Sequence, residues 1–199
     1  MRGLYVGNKP RVAAPQGGRV DKESLGKLLL SVSYLEGDFV LRSGRRSRYY
    51  LDKYLFETDP RVLKGIVEHM ATMIQQRAES TGDYQRLGAP ELGAVALGAG
   101  LSLELGLPLL IVRKQAKDYG TAKAMEGAFL PGERVAVVED IVTSGGAALT
   151  AIEALRAAGL QTVDLFCVVD REEGGRESAA AAGVNLHPLF TATELGIKG

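Results

Sequence analysis

Several absences limit this sequence before any motif is considered. Its 199 residues include one cysteine, two histidines and no tryptophan. A single cysteine excludes an internal disulfide framework and any multi-cysteine zinc site, and it suits a reducing, cytoplasmic setting. Cys167 lies within "TVDLFCVVD", where a small core residue on a buried strand is expected rather than a nucleophile. His69 has no second histidine or carboxylate at metal spacing, so it is expected at the surface or the core edge. There is no excess of charge: 24 basic and 24 acidic side chains cancel, which gives no support to nucleic acid or an anionic membrane as partner. Any anion chemistry must therefore be local. There is also no uninterrupted apolar run of membrane-spanning length. Leu92 to Val112 comes near it, but Glu104, several glycines and a Gly-Leu-Pro break favour a buried helix followed by a buried strand. Residues 1–20 carry four basic and no acidic residues and lack the apolar core of a signal peptide. They are expected to form a loose tail, with a transit peptide as the alternative.

What is present points to one domain over residues 21–199, because 46% hydrophobic and 24% charged residues are ordinary for a globular chain of this length. Asp21 and Ser24 open a helical pattern through Leu25, Leu28, Leu29 and Leu35, with Gly37 as its stop. "DFVLRSGRRSRYYLD" and then "KYLF" alternate apolar and polar residues around a Ser-Gly turn, which predicts an unusually basic hairpin. Asp59 and Pro60 cap a helix with Val62, Ile66, Met70 and Met73 on one face. Beyond it strands and helices alternate. A strand ends in a turn at Gly88 to Pro90, a helix runs to about Gly106, and "LPLLIVR" is a strand. "KQAKDYGTAKAMEGAF" has no clean period and is expected to be a long flexible loop. "RVAVVED", "QTVDLFCVVD" and "NLHPLFT" are further strands, separated by a helix over "SGGAALTAIEALRAAG" and another opening near Arg171. Apolar strands separated by helices imply an α/β fold with a mainly parallel central sheet flanked by helices.

In such sheets ligands lie beyond the carboxyl ends of the strands, so "VAVVED" delivers Glu139 and Asp140 to the functional edge. Position alone would equally suit a solvated strand end or the acidic end of a receiver-like domain. The "TSGG" that follows, Thr143 to Gly146, decides between them: Gly145 and Gly146 permit a tight nest of N–H groups at a helix N-terminus, and Thr143 and Ser144 add hydroxyl donors. Two carboxylates for vicinal hydroxyls beside a phosphate cradle suit a sugar phosphate. Other phosphate motifs do not fit, since there is no G-x-x-x-x-G-K-[ST] and "GAGLSL" is a weak match to a dinucleotide fingerprint.

"VAVVEDIVTSGGA" resembles the phosphoribosyl-diphosphate signature of the type I phosphoribosyltransferases. "FVLRSGRRSRYYLDKYLF" is similar to the N-terminal hood of the orotate phosphoribosyltransferases, and "VRKQAKDYG" to their mobile catalytic loop. The resemblance spans about Asp21 to Thr193 and implies a hood over about 21–57 and a core over about 58–199. It implies transfer of a phosphoribosyl group from 5-phosphoribosyl 1-diphosphate to orotate, with Mg²⁺ held mainly through the substrate and no protein ligand assigned to it. On this resemblance Glu139 and Asp140 meet the ribose hydroxyls, and Thr143, Ser144, Gly145 and Gly146 hold the 5-phosphate. Arg113, Lys114, Lys117 and Tyr119 belong to the loop that serves the diphosphate, Lys117, Arg113 and Asp140 carrying the catalysis. Arg42, Tyr50 and Leu51 face the pyrimidine, and Arg171 helps hold its carboxylate. A homodimer sharing the loop across its interface is implied in the same way.

Three positions depart from the family pattern. Arg42 stands where lysine is frequent, Tyr119 where histidine is frequent, and Leu92 where some members carry a cation for the diphosphate. Tyr119 cannot supply a proton near neutral pH as histidine could. Lys53 and Lys123 are expected at the surface. The alternatives are a purine (adenine or xanthine) phosphoribosyltransferase sharing the signature, or a non-catalytic regulator that senses the same donor. The regulator would need a nucleic-acid-binding element, for which the tail is too short.

Overall fold

The central strands of one six-stranded sheet are apolar runs that leave little polar face for solvent. The computed structural model of the protein describes residues 18–40, 46–114 and 124–197. The sheet comprises β3 (Arg86–Pro90), β4 (Leu109–Val112), β5 (Met125–Glu126), β6 (Arg134–Val142), β7 (Gln161–Asp170) and β8 (Asn185–Thr191). Their order is β5-β4-β3-β6-β7-β8, parallel throughout except where β5 runs against β4. Successive residues of β6 serve opposite faces. Ala136 and Val138 join one hydrophobic layer, with Leu25 of α1 (Lys22–Ser33), Ile66 and Met70 of α3 (Pro60–Thr81), and Leu97 and Leu101 of α4 (Ala94–Leu105). Val135 and Val137 join the other, with Ile152 and Leu155 of α5 (Gly146–Ala157), Ala179 of α6 (Gly175–Ala181) and the fully buried Cys167. No helix among the described residues is long and apolar enough to cross a membrane.

Outside the main sheet, β1 (Tyr34–Val40) and β2 (Arg46–Leu51) form the expected antiparallel hairpin. Four local expectations are corrected. α1 stops at Ser33 rather than at Gly37: Tyr34 is already extended and pairs with Leu51, and Asp52 N–H donates to Ser33 O at 2.9 Å, so hairpin pairing overrides the helical period. "KYLF" does not continue the hairpin but lies in a short helix, α2 (Lys53–Glu57), because the Asp52 carboxylate caps it by accepting from Tyr54 N–H at 3.1 Å. Gly88 to Pro90 is no turn but part of β3, paired with β4 on one side and through Gly88 with β6 on the other. A Cβ at Gly88 would lie 3.1 Å from both Leu155 Cδ1 and Val135 Cγ1, which accounts for a glycine in a central strand. α6 opens at Gly175 rather than near Arg171, and the two residues of β5 within the long loop carry no periodic signal.

The amino ends of the strands are tied together by one buried acid. Asp164 of β7 accepts hydrogen bonds from Arg77 Nε of α3 at 2.9 Å and Tyr84 Oη at 2.7 Å, and His187 Nε2 of β8 lies at 2.8 Å. Burial opposes its charge, but the bonds from His187, Tyr84 and Arg77 prevail and hold its carboxyl below the ordinary value of 3.8. A depressed carboxylate contributes stability above its unfolded pKa and loses that contribution as pH falls. Asp164→Asn is therefore expected to lower unfolding free energy at pH 7 by about 3 kcal/mol, since it leaves buried partners without their counter-charge. Urea denaturation checks this, and the gap from wild type should narrow below about pH 4 as the wild-type carboxyl is protonated.

Candidate active site

The acids at the end of β6 are not a solvated strand end. Glu139 and Asp140 are 6% and 1% exposed. Burying carboxylates is costly unless hydrogen bonds or counter-charges hold them. Asp140 is held on both oxygens: Oδ1 accepts from Ile141 N–H at 2.5 Å, and Oδ2 accepts from Lys53 Nζ at 2.6 Å. Glu139 Oε1 accepts from Asp140 N–H at 3.1 Å. Lys53, expected at the surface, is thus part of the site, carried there by α2. Burial works against its charge, yet the hydrogen bond and charge of Asp140 outweigh burial and hold its pKa above the ordinary lysine value.

Glu57, one helical turn beyond Lys53, is a third buried acid, 4% exposed, with Oε1 unpartnered among the described residues. Burial, then the charge of Asp140 and a hydrogen bond with it, push its pKa up to about 9. Burial and the charge of Asp140 likewise push Glu139 up, to about 8. Three carboxyls and one ammonium are thus close enough to act on one another's charge.

Beside the acids the chain turns through Thr143 to Gly145 into α5. Gly145, the N-cap, has φ +81° and makes no side-chain cap bond. Its left-handed backbone suits glycine, and a Cβ would also approach Gly175 O at 3.5 Å. The exposed Thr143, Ser144 and Gly146 surround a helix start whose first N–H groups lack intrahelical partners, an arrangement that attracts a phosphate.

Arg171 follows the carboxyl end of β7 and joins the core to the hairpin. Its side chain, 11% exposed, pairs with Glu173 at 2.9 Å. It also donates from Nη2 to Tyr49 Oη at 2.7 Å, its guanidinium centred 5.1 Å from the Tyr49 ring. Of the two pyrimidine-facing candidates among the described residues of the hairpin, Tyr50 is 41% exposed against Phe39, whereas Leu51 is buried in the first hydrophobic layer. At the foot of the long loop, Arg113 N–H donates to Ala124 O at 2.9 Å, and Arg113 Nη1 lies 3.5 Å from Glu126 of β5. Lys114 N–H donates to Glu91 Oε1 at 3.0 Å, beside an exposed Leu92. Arg42, Lys117, Tyr119 and Lys123 lie outside the described residues.

Sequence reasoning missed Lys53, Glu57 and Tyr49. Tyr49 adjoins a named candidate and carried no distinguishing signal. Lys53 and Glu57 stand four apart, a spacing that shares one helix face, but the alternating reading of "KYLF" hid it.

The Phosphoribosyl transferase domain profile matches residues 62–186. The orotate phosphoribosyltransferase of Methanocella arvoryzae is 47% identical over 159 residues, 80% of this chain and 87% of its own. The chain belongs to the orotate phosphoribosyltransferase family. Among solved structures, orotate phosphoribosyltransferase from Mycobacterium tuberculosis in complex with Fe(III) dicitrate has a TM-score of 0.76 at 32% identity, covering 88% of this chain and 98% of that one. The same protein in complex with 5-phospho-alpha-D-ribosyl 1-diphosphate gives 0.71 at 29% identity with the same coverage. The structural likeness therefore covers more of the chain than the profile match.

Two outcomes follow from this geometry. Gly145→Ala is expected to weaken binding of ribose 5-phosphate by about tenfold or more, because strain of roughly 1–3 kcal/mol falls on the turn that leads into α5; isothermal titration measures it. The second concerns Glu57. A carboxyl whose pKa is raised on folding binds its proton more tightly in the native state. Its contribution is therefore complete below pH 4.5 and declines as pH rises towards about 9. Glu57→Gln should flatten the fall in melting temperature between pH 5 and 9; parallel profiles for the two proteins would count against a raised pKa.

Proposed function

We propose that the protein transfers the phosphoribosyl group of 5-phosphoribosyl 1-diphosphate to orotate, giving orotidine 5-phosphate and diphosphate, a step of pyrimidine biosynthesis. The observation that carries this reading is the buried pair Glu139 and Asp140 directly preceding a glycine-capped helix start, an arrangement matched to a ribose 5-phosphate. The acids accept hydrogen bonds from the ribose hydroxyls. The Thr143–Gly146 turn takes the 5-phosphate with N–H donors and the positive end of α5. At the acceptor side, Arg171 offers a guanidinium suited to a carboxylate, next to the hairpin that carries Tyr50.

In the reaction the bond from ribose C1 to the diphosphate oxygen breaks and its electron pair leaves with diphosphate, while a ring nitrogen of orotate forms the new bond to C1 and its proton passes to the released diphosphate or to water. Positive charge builds on the sugar, close to Asp140, and negative charge on the leaving group. Arg113, Lys114 and Lys117 are the cations for that group, and preorganised charges of this kind are worth about 10²-fold or more in rate. Loop closure would exclude water that otherwise hydrolyses the donor.

No cluster of three or more His, Cys, Asp or Glu among the described residues is arranged to hold a metal ion. Mg²⁺ fits this site in a different mode, carried by the oxygens of the donor itself, as is usual for an ion that keeps several waters and binds through phosphates. When bound, it neutralises charge on the diphosphate. A cytoplasmic homodimer that shares the loop completes the proposal.

The deciding measurement is an acceptor panel. Orotate with the donor and Mg²⁺ should lose its near-ultraviolet absorbance and release diphosphate, and Asp140→Asn should lower kcat/KM by about 10²-fold or more. Turnover of adenine or xanthine instead, or donor binding with no turnover of any base, would overturn this reading. Lys117→Ala should reduce kcat by about 10²-fold with a smaller change in KM for orotate, as expected of a cation that acts on charge developing in the transition state.

A further inference from the structure

We propose that Lys53 is a positioning residue for the sugar grip, aiming the Asp140 carboxylate from the helix that leaves the hairpin and so coupling the acceptor-side hairpin to the donor site. This rests on the reading of Asp140 as the group that meets a ribose hydroxyl. With Oδ1 tied to its own strand at 2.5 Å and Oδ2 tied to Lys53 at 2.6 Å, the carboxylate has one orientation left to it. Glu57 adds a further hydrogen bond to the same carboxylate, and an ionised carboxylate has about four acceptor sites, which leaves room for a hydroxyl donor.

Position 93 shows that the protein is built around this ion pair. Gly93 has ordinary right-handed helical angles, φ −57° and ψ −52°, which any residue can adopt. A Cβ there, however, would fall 1.8 Å from Asp140 Oδ2 and 2.3 Å from Lys53 Nζ. The space a side chain would fill at position 93 is thus taken by the Lys53–Asp140 contact. The other ionisable groups near Lys53 are Glu139 of β6 and Glu57 of its own helix, and its Nζ lies 5.5 Å from the centre of the Tyr54 ring. Both acids oppose loss of the lysine's charge. The coupling to the acceptor side is covalent and short. β2 ends at Leu51, Asp52 caps α2, and Lys53 is the first residue of that helix, so a shift of the hairpin carries the ammonium with it.

The test uses the full chain and steady-state kinetics with both substrates, alongside thermal unfolding. Lys53→Met is expected to raise KM for 5-phosphoribosyl 1-diphosphate by about tenfold or more, with kcat lowered less than about threefold, because a misaimed carboxylate weakens a grip already present in the ground state. Lys53→Arg, which keeps the charge, should recover most of that loss. Gly93→Ala should reproduce the signature with the lysine still in place. The double variant Gly93→Ala/Lys53→Met should be little worse than either single one, as expected of changes acting on one contact. A folded Lys53→Met with donor KM within twofold of wild type would overturn the inference, as would fully additive effects of the two changes. Should Lys53→Met not fold, Lys53→Gln and Gly93→Ala answer the same question. Failure of the wild-type chain to turn over orotate would instead defeat the functional reading, so the two failures are told apart.

Discussion

The rest of this structure turns on the placing of carboxylates inside a sheet that is otherwise hydrocarbon. β6 is buried on both faces, yet it carries two acids near its carboxyl end. Water is excluded there, so the surrounding chain has to supply what water would: a backbone N–H on one oxygen of Asp140, an ammonium on the other, and a further N–H on Glu139. The result is a site in which charges are few, oriented and poorly screened, the condition under which fixed dipoles and ions act most strongly.

Stability and chemistry are set at opposite ends of the same strands. Asp164 gathers Arg77, Tyr84 and His187 near the start of β7, whereas Asp170, at its finish, adjoins the Arg171 that reaches the hairpin. The network at the amino ends binds α3, β7 and β8 into one rigid block. The carboxyl ends carry the turns that bear the candidate site residues, where functional groups are commonly found.

Much of this was legible in the sequence, and the reasons differ by element. The central strands were clear because continuous apolar runs such as "VAVV" have few uses other than a covered parallel sheet. The turn into α5 was clear because glycines between a strand and a helix answer a specific backbone need. What stayed hidden depended on contacts distant in sequence. Gly88 reads as a turn residue until Leu155 and Val135 are seen against it. "KYLF" reads as a strand because four residues cannot distinguish two periods, and the Asp52 cap that decides for a helix looks like any loop aspartate. Lys53 looks like a surface lysine because its partner, Asp140, is 87 positions away.

The alternation of β6 has a further consequence for how the molecule transmits disturbance. Glu139 and Asp140 are neighbours in the chain, yet a strand sends adjacent side chains to opposite sides of its sheet. Asp140 therefore shares its side with α2, α4 and the layer around Ala136 and Val138, and Glu139 shares its side with α5 and the layer around Val137. The two acids at this edge are thus rooted in two separately packed interiors, so that strain arising in either layer reaches a different carboxyl of the pair.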